Sequence, residues 1–387
     1  MKEESLLLLS DLQKLINQVV LIDYTIIILG GEKMRKLISD VGLANVAESI
    51  DRLMNVDIGA RGTAQVLFDA ARELLNGKPM TLAAVELMQK SIKPGDYVFI
   101  TTGWADQPAN IPTKSETDGP PGTAALARAI RLTLKGLPIV ITDDYLVEDM
   151  KKVMSSCGFS ITEPEKLSTS LSDELGFEMV PTIAVIGMPI DQEACRVRSE
   201  ELLEHYKPSL CLAIERGGMN KHGRIHGMGG FDFSASQAKM DYLFTGAGER
   251  GIATIGIGDG GNEIGMANIE KTVREKVKNG NMCKCPCHSG IALDVAKVDV
   301  LLSAAISNWA GYGIACLLGL AEGNLDAMCS EEIEKRVLDS CWRVEFHDSI
   351  GSRVAPSVDG CPEPVHLAII RLFREIVTMG IKRFPAE

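Results

Sequence analysis

Six short apolar runs, each stopping at a cluster of polar residues, constrain this chain more than any other feature. They are "DYVFITTGW" (96–104), "LPIVITDDY" (137–145), "PTIAVIGMP" (181–189), "PSLCLAIERGG" (208–218), "IATIGIGDGG" (252–261) and "VDVLLSAAISNW" (298–309). Runs that are apolar at consecutive positions suit strands buried on both faces. Amphipathic helical patterns such as "GTAALARAIRLTLKG" and "SEELLEHYKP" lie between them. Strand followed by helix, repeated, predicts right-handed crossovers and an α/β fold with a mainly parallel sheet and helices on both faces. The polar residues at the run ends would then share one edge of that sheet, where open parallel sheets bind ligands. Those residues are Thr101, Thr102 and Gly103, Asp143 and Asp144, Glu215 to Gly217, Asp259 to Glu263, and Ser307 with Asn308.

Ahead of the runs, residues 1–55 read as a helical N-terminal segment without a chemical motif, and 56–387 as one catalytic domain. The stretch "SLLLLSDLQKLINQVVLIDYTIIILGG" is apolar, but Asp11, Lys14 and Asp23 interrupt it short of a membrane span. It also lacks the pattern of a secretory signal. With ten cysteines and no export signal, the expected setting is a reducing, cytoplasmic one with free thiols. A net charge of −12 argues against a nucleic-acid partner, as the interrupted N-terminus does against a membrane. The expected partner is a small molecule, and nothing in the sequence opposes a homo-oligomer.

Four motifs carry the chemistry. In "GDGGNEIG" the glycines permit a tight turn, while Asp259, Asn262 and Glu263 supply hard oxygen donors suited to Mg²⁺ or Mn²⁺. The plainer reading is a glycine turn with a helix cap. "SETDGPPGTAALARAI" places Glu116 and Asp118 before a loop in which Gly119, Gly122 and Thr123 could offer backbone N–H groups to an anion. "ERGGMNKHGRIHGMGGFDFS" gathers Glu215, Arg216, Lys221, His222, Arg224 and His226, and reads as a lid whose arginines clamp a carboxylate. "CKCPCH" offers Cys283, Cys285, Cys287 and His288, but its spacing is tighter than that of usual zinc pairs and no second pair is evident. Free thiols are the expectation there.

Taken together, "TTGW" (101–104), "ETDGPPGTAAL" (116–126), "ERGGMNKHGRIHGMGG" (215–230), "GIGDGGNEIGM" (256–266), "SNWAGYGI" (307–314) and "SVDG" (357–360) resemble the catalytic domain of the D-glutamate cyclase family. That resemblance spans about residues 95–360 and implies a hydro-lyase converting D-glutamate, or a close analogue, to 5-oxo-D-proline with loss of water. Asp259, Asn262, Glu263 and Glu215 are then the expected catalytic residues, the first three also as metal ligands. Thr102, Gly103, Glu116, Asp118, Gly119, Gly122, Thr123, Arg216, Arg224 and Asn308 are the expected substrate contacts. Two alternatives stand beside it: a phosphohydrolase of the haloacid dehalogenase type, because "GDGGNE" is near that superfamily's metal loop, and a non-catalytic sensor of an amino acid or nucleotide. The phosphohydrolase needs an aspartyl nucleophile in a DxD pattern, for which "VITDDYL" has the wrong spacing.

Overall fold

The computed structural model describes residues 36–107, 109–172 and 179–386; the apolar stretch at 5–31 lies outside them. All six apolar runs become parallel strands: β1 (Tyr97–Thr101), β2 (Leu137–Asp143), β4 (Thr182–Met188), β5 (Leu210–Ile214), β6 (Ala253–Gly258) and β7 (Val300–Ser303). A two-residue strand, β3 (Ser160–Ile161), is added at one edge, too short to leave a sequence pattern. The sheet has seven strands in the order β3-β4-β2-β1-β5-β6-β7, paired in parallel throughout.

That order fixes both the layers and the site. From β1 the chain moves one way, through α4 (Pro120–Thr133) to β2 and through α5 (Val147–Ser155) to β3. From β4 it returns the other way, through α6 (Gln192–Tyr206) to β5 and α7 (Asp241–Glu249) to β6. Right-handed crossovers running in opposite directions put the two helix pairs on opposite faces. The direction reverses between β1 and β5, and such a switch point leaves a crevice beyond the strand ends.

Residues 36–387 form one compact unit, so α1 (Asp40–Met54) belongs with the sheet. Its Val46, Ala47, Ile50 and Met54 are buried. Buried Asp51 fastens α1 to the start of α3 (Met80–Ser91), accepting from the N–H groups of Met80 and Thr81 at 2.5 and 3.1 Å. Between them lies α2 (Ala64–Leu74), and the loop before α2 carries Arg61. The Asp57 carboxylate bends that loop by accepting from Arg61 N and Gly62 N at 3.0 and 2.7 Å. After β6 come α8 (Glu270–Lys276), then α9 (Ser307–Ala321), α10 (Glu331–Arg343), a small hairpin of β8 (Ser357–Val358) and β9 (Cys361–Pro362), and the long α11 (Glu363–Arg383). No helix among the described residues is long and apolar enough to cross a membrane.

Candidate active site

A cavity of about 410 Å³ opens at the switch point, within the range typical of small-molecule sites. The loop after β1 gives it Trp104, Asp106 and Glu116; the loop after β5 gives Glu215 and Gly227 to Gly229. Asp259, Gly260, Asn262 and Glu263 enter after β6, Arg61 from the loop before α2, and Asp359 from the hairpin. Asp118 completes the acidic group, with carboxylate oxygens of Asp118, Asp259 and Asp359 all within 4.8 Å of one another. Glu215, Asp259 and Glu263 form a second such triad. Asp259 belongs to both.

These acids have different tasks. Glu263 folds back over its own turn, accepting from the N–H groups of Asp259, Gly260 and Gly261 at 3.1, 2.7 and 2.8 Å. The turn is affordable only to glycine at Gly261, where φ is +105°, and at Gly258, where a Cβ would stand 2.7 Å from the Glu263 carboxyl carbon. Asp118 holds the first N–H groups of α9, at Ser307 and Asn308, both at 2.9 Å. Asn308 in turn accepts from Gly119 N and Gly122 N at 2.9 and 2.8 Å. The starts of α4 and α9 therefore cap each other. Asp259, Glu215, Glu116 and Asp359 are less committed: each keeps one carboxylate oxygen free of protein hydrogen bonds. Their bound oxygens are held by Arg61, Ser307, Ser349 and Arg61 respectively.

Crowding so many acids out of water raises their proton affinity. Burial, then the neighbouring Asp259, push Asp118 and Glu263 each up to about 7. Burial and the charge of Asp106 raise Glu116 well above the carboxylate range; burial and Asp259 do the same to Glu215 and Asp359. Each of these acids therefore holds its proton more tightly because of its neighbours, and their titrations are linked. Arg61 is the cluster's counterion, donating to Asp259 Oδ2 at 2.6 Å, to Asp359 Oδ2 at 3.0 Å and to the carbonyl of Ala305. Those acids, Asp259 above all, raise its own pKa further.

A sign follows for stability. An acid whose pKa is about 7 when folded and near 4 when unfolded keeps a proton that the unfolded chain has released. The stability from that proton is complete below about pH 4 and is lost as pH rises through about 7. Chelator-treated protein should therefore melt at progressively lower temperature from about pH 6 to about pH 8, and Asp118→Asn should flatten the slope. A thermal midpoint that does not fall across that window would mean that the cluster holds no extra protons there and is ionised throughout.

The structure gathers most of the expected site and relocates the rest. Glu116, Glu215, Asp259, Asn262 and Glu263 line the cavity. Asn262 donates to the carbonyl of His226 at 2.8 Å, and its buried Oδ1 has no protein partner. Thr102 and Asn308 are buried alongside, packed on the Gly119 turn and the start of α4. Thr123 is buried within α4, its N–H bonded to the carbonyl of Gly119 at 2.9 Å. With Gly119 and Gly122 capped by Asn308, this loop has little left to offer an anion, contrary to the sequence reading.

The arginines also depart from expectation. Arg216 is fully buried and donates to both oxygens of Asp143, at 2.5 and 2.7 Å, and to the carbonyls of Gly103 and Ala238. Arg224 faces solvent, 3.5 Å from Asp232. Neither lines the cavity, so the glycine-rich loop supplies a wall rather than a cationic clamp. Because breaking a buried pair strands the remaining charge, Arg216→Met is expected to cost about 3–5 kcal/mol of stability. A denaturant midpoint near that of wild type would show that the pair is dispensable. The same pairing removes Asp143 as a candidate phosphohydrolase nucleophile.

Two cations of the cavity lining, Arg61 and Lys278, and the acid Asp359 escaped the sequence reading. Asp359 stands in "SVDG", quoted above for its resemblance; Arg61 had only its flanking glycines in "GARG" as a signal.

Fold and site together define an α/β protein with a buried acid cluster around one guanidinium at the sheet's switch point. Residues 50–374 match the family model described as D-glutamate cyclase-like, C-terminal, and the chain belongs to that family. A curated relative, the human protein named "D-glutamate cyclase, mitochondrial", is 26% identical over 282 residues. The match covers 73% of this chain but only 40% of that relative's length.

Proposed function

We propose that the chain is a hydro-lyase that closes D-glutamate, or a close analogue, into 5-oxo-D-proline. What carries the reading is the meeting of carboxyl groups of linked titration and Arg61 in one cavity of a D-glutamate cyclase-like protein. In the reaction the amine nitrogen bonds to the γ-carboxyl carbon and one carbon–oxygen bond breaks. Two protons must move from the ammonium group to the departing oxygen, which leaves as water. A neighbouring pair of acids, one ionised and one protonated, can take the first proton and deliver the second. Asp259 suits the basic role because it keeps an open oxygen. Glu215, which burial and the neighbouring Asp259 raise well above the carboxylate range and which also keeps an open oxygen, suits the acidic one.

Negative walls also suit the substrate's ammonium group, while Arg61 and Lys278, the cations that line the cavity, suit its carboxylates. Holding both ends of a short flexible molecule lowers the barrier by proximity. The oxygen donors of Glu215, Asp259 and Glu263, or of Asp118, Asp259 and Asp359, fit Mg²⁺ or Mn²⁺, and the unpartnered Oδ1 of Asn262 belongs to the same cavity lining. Such an ion, when bound, would polarise a carboxyl oxygen and offset the acids' repulsion.

The test is incubation of the purified protein with D-glutamate, L-glutamate and both enantiomers of 5-oxoproline, read by chiral chromatography. Each is run after EDTA treatment and with Mg²⁺ or Mn²⁺ restored. Accumulation of 5-oxo-D-proline from D-glutamate alone is the expected result. No turnover of either glutamate under any of these conditions overturns the assignment.

A further inference from the structure

The cysteines of "CKCPCH" are free of disulfides, as expected, but they do not stand apart from one another. Cys283, Cys285 and Cys287 converge on His226, some 60 residues earlier in the chain, while the neighbouring His288 stays outside the group. The three sulfurs and the His226 ring nitrogen lie within 4.8 Å of one another. Sulfur separations are 3.5, 3.3 and 3.2 Å, and His226 Nε2 is 3.1 Å from Cys285 Sγ and 3.8 Å from Cys287 Sγ. A disulfide needs about 2.05 Å, and three thiols cannot pair off without leaving one over. A tetrahedral ion about 2.3 Å from sulfur and about 2.0 Å from nitrogen needs edges of roughly 3.4–3.8 Å. The observed edges bracket those values or need to open by a few tenths of an ångström.

The surroundings are built for thiolates. The N–H of Cys287 donates to Cys285 Sγ at 3.4 Å, and Asn220 Nδ2 to Cys287 Sγ at 3.5 Å. Cys283, Cys285 and His226 are buried. We propose that these four residues form a Cys₃His site for a structural zinc ion. All four positions are protein ligands, so the ion is closed to substrate and acts as a clamp. It joins the 283–287 segment to the loop after β5 next to the cavity. The carbonyl of His226 holds Asn262, and Gly227 to Gly229 form part of the cavity wall.

The test is independent of the proposed activity. The untagged chain, made in zinc-supplemented medium, is assayed for metal by mass spectrometry alongside Cys285→Ser, His226→Gln and Asp259→Asn. Zinc at about one per chain is expected in wild type and Asp259→Asn, with a loss of most of it in the other two. As a check that needs no variant, the wild-type chain is stripped of metal under reducing conditions and titrated with Co²⁺. Tetrahedral cobalt with thiolate ligands gives intense visible and near-ultraviolet bands. Absence of both zinc and those bands in wild type overturns the proposal, as does zinc retained at the wild-type level in Cys285→Ser and His226→Gln.

Discussion

Asp259→Asn is expected to cut turnover of D-glutamate by about 10²-fold or more, the usual scale for losing a proton acceptor or metal ligand. Asp259 is the shared member of both carboxylate triads and the second cause, after burial, of the raised proton affinity of Asp118, Glu215, Glu263 and Asp359. Asparagine keeps the side chain's size and its capacity to accept from Arg61, but removes the charge. Two further effects separate a chemical role from a structural one. The remaining acids should lose protons more easily, so the pH profile of residual activity should move to lower pH. Relief of like-charge repulsion should offset the weakened Arg61 bond, leaving the thermal midpoint near pH 8 close to wild type or above it. Turnover near the wild-type rate would leave the stretch as a turn with no catalytic part. Glu263→Gln makes the contrast: an amide cannot accept from three N–H groups through two oxygens. That variant should lose stability as well as rate, read from the same melts.

Six of the sheet's seven strands were legible because they are largely buried on both faces and so write uninterrupted apolar runs, which the partly exposed two-residue β3 does not. Its polar ends were legible for a related reason: a parallel sheet places all of them at one edge, so Glu215 and Asp259 meet although they follow different strands. What the sequence did not show were contacts made by loops with no period. Arg61 and Asp259 are 198 residues apart, and no pattern links them. Arg216 looked like a ligand clamp because it stands in a glycine-rich loop. Its partner Asp143 ends β2, with β1 between them, and the guanidinium crosses the end of β1 at Gly103, whose φ is +103°. His226 was similarly hidden, since the cysteine spacing pointed to a ligand nearby in the chain.

Arg61→Met should be the most damaging single change to the site, because it removes the guanidinium from among the clustered acids. Arg61 bonds two of those acids through different nitrogens and reaches the carbonyl of Ala305 as well. Losing it exposes Asp259 and Asp359 to each other without a counterion, and proton uptake is their only relief. Breaking such a pair costs about 3–5 kcal/mol when fully buried. Arg61, about 26% exposed, should fall at the lower end of that range. The cost should depend on pH in a definite direction: close to its maximum near pH 8, and smaller near pH 6, where the acids bind protons instead. Arg61→Lys restores the charge but not the planar fork that serves two carboxylates at once. It should therefore recover most of the stability at pH 8 and little of the turnover. Melting curves at the two pH values, with kcat and KM for both variants, read these effects separately. If Arg61→Met is equally stable relative to wild type at both pH values, Arg61 is not the counterion of the cluster. If Arg61→Lys turns over D-glutamate at the wild-type rate, only the charge matters and the fork geometry does not.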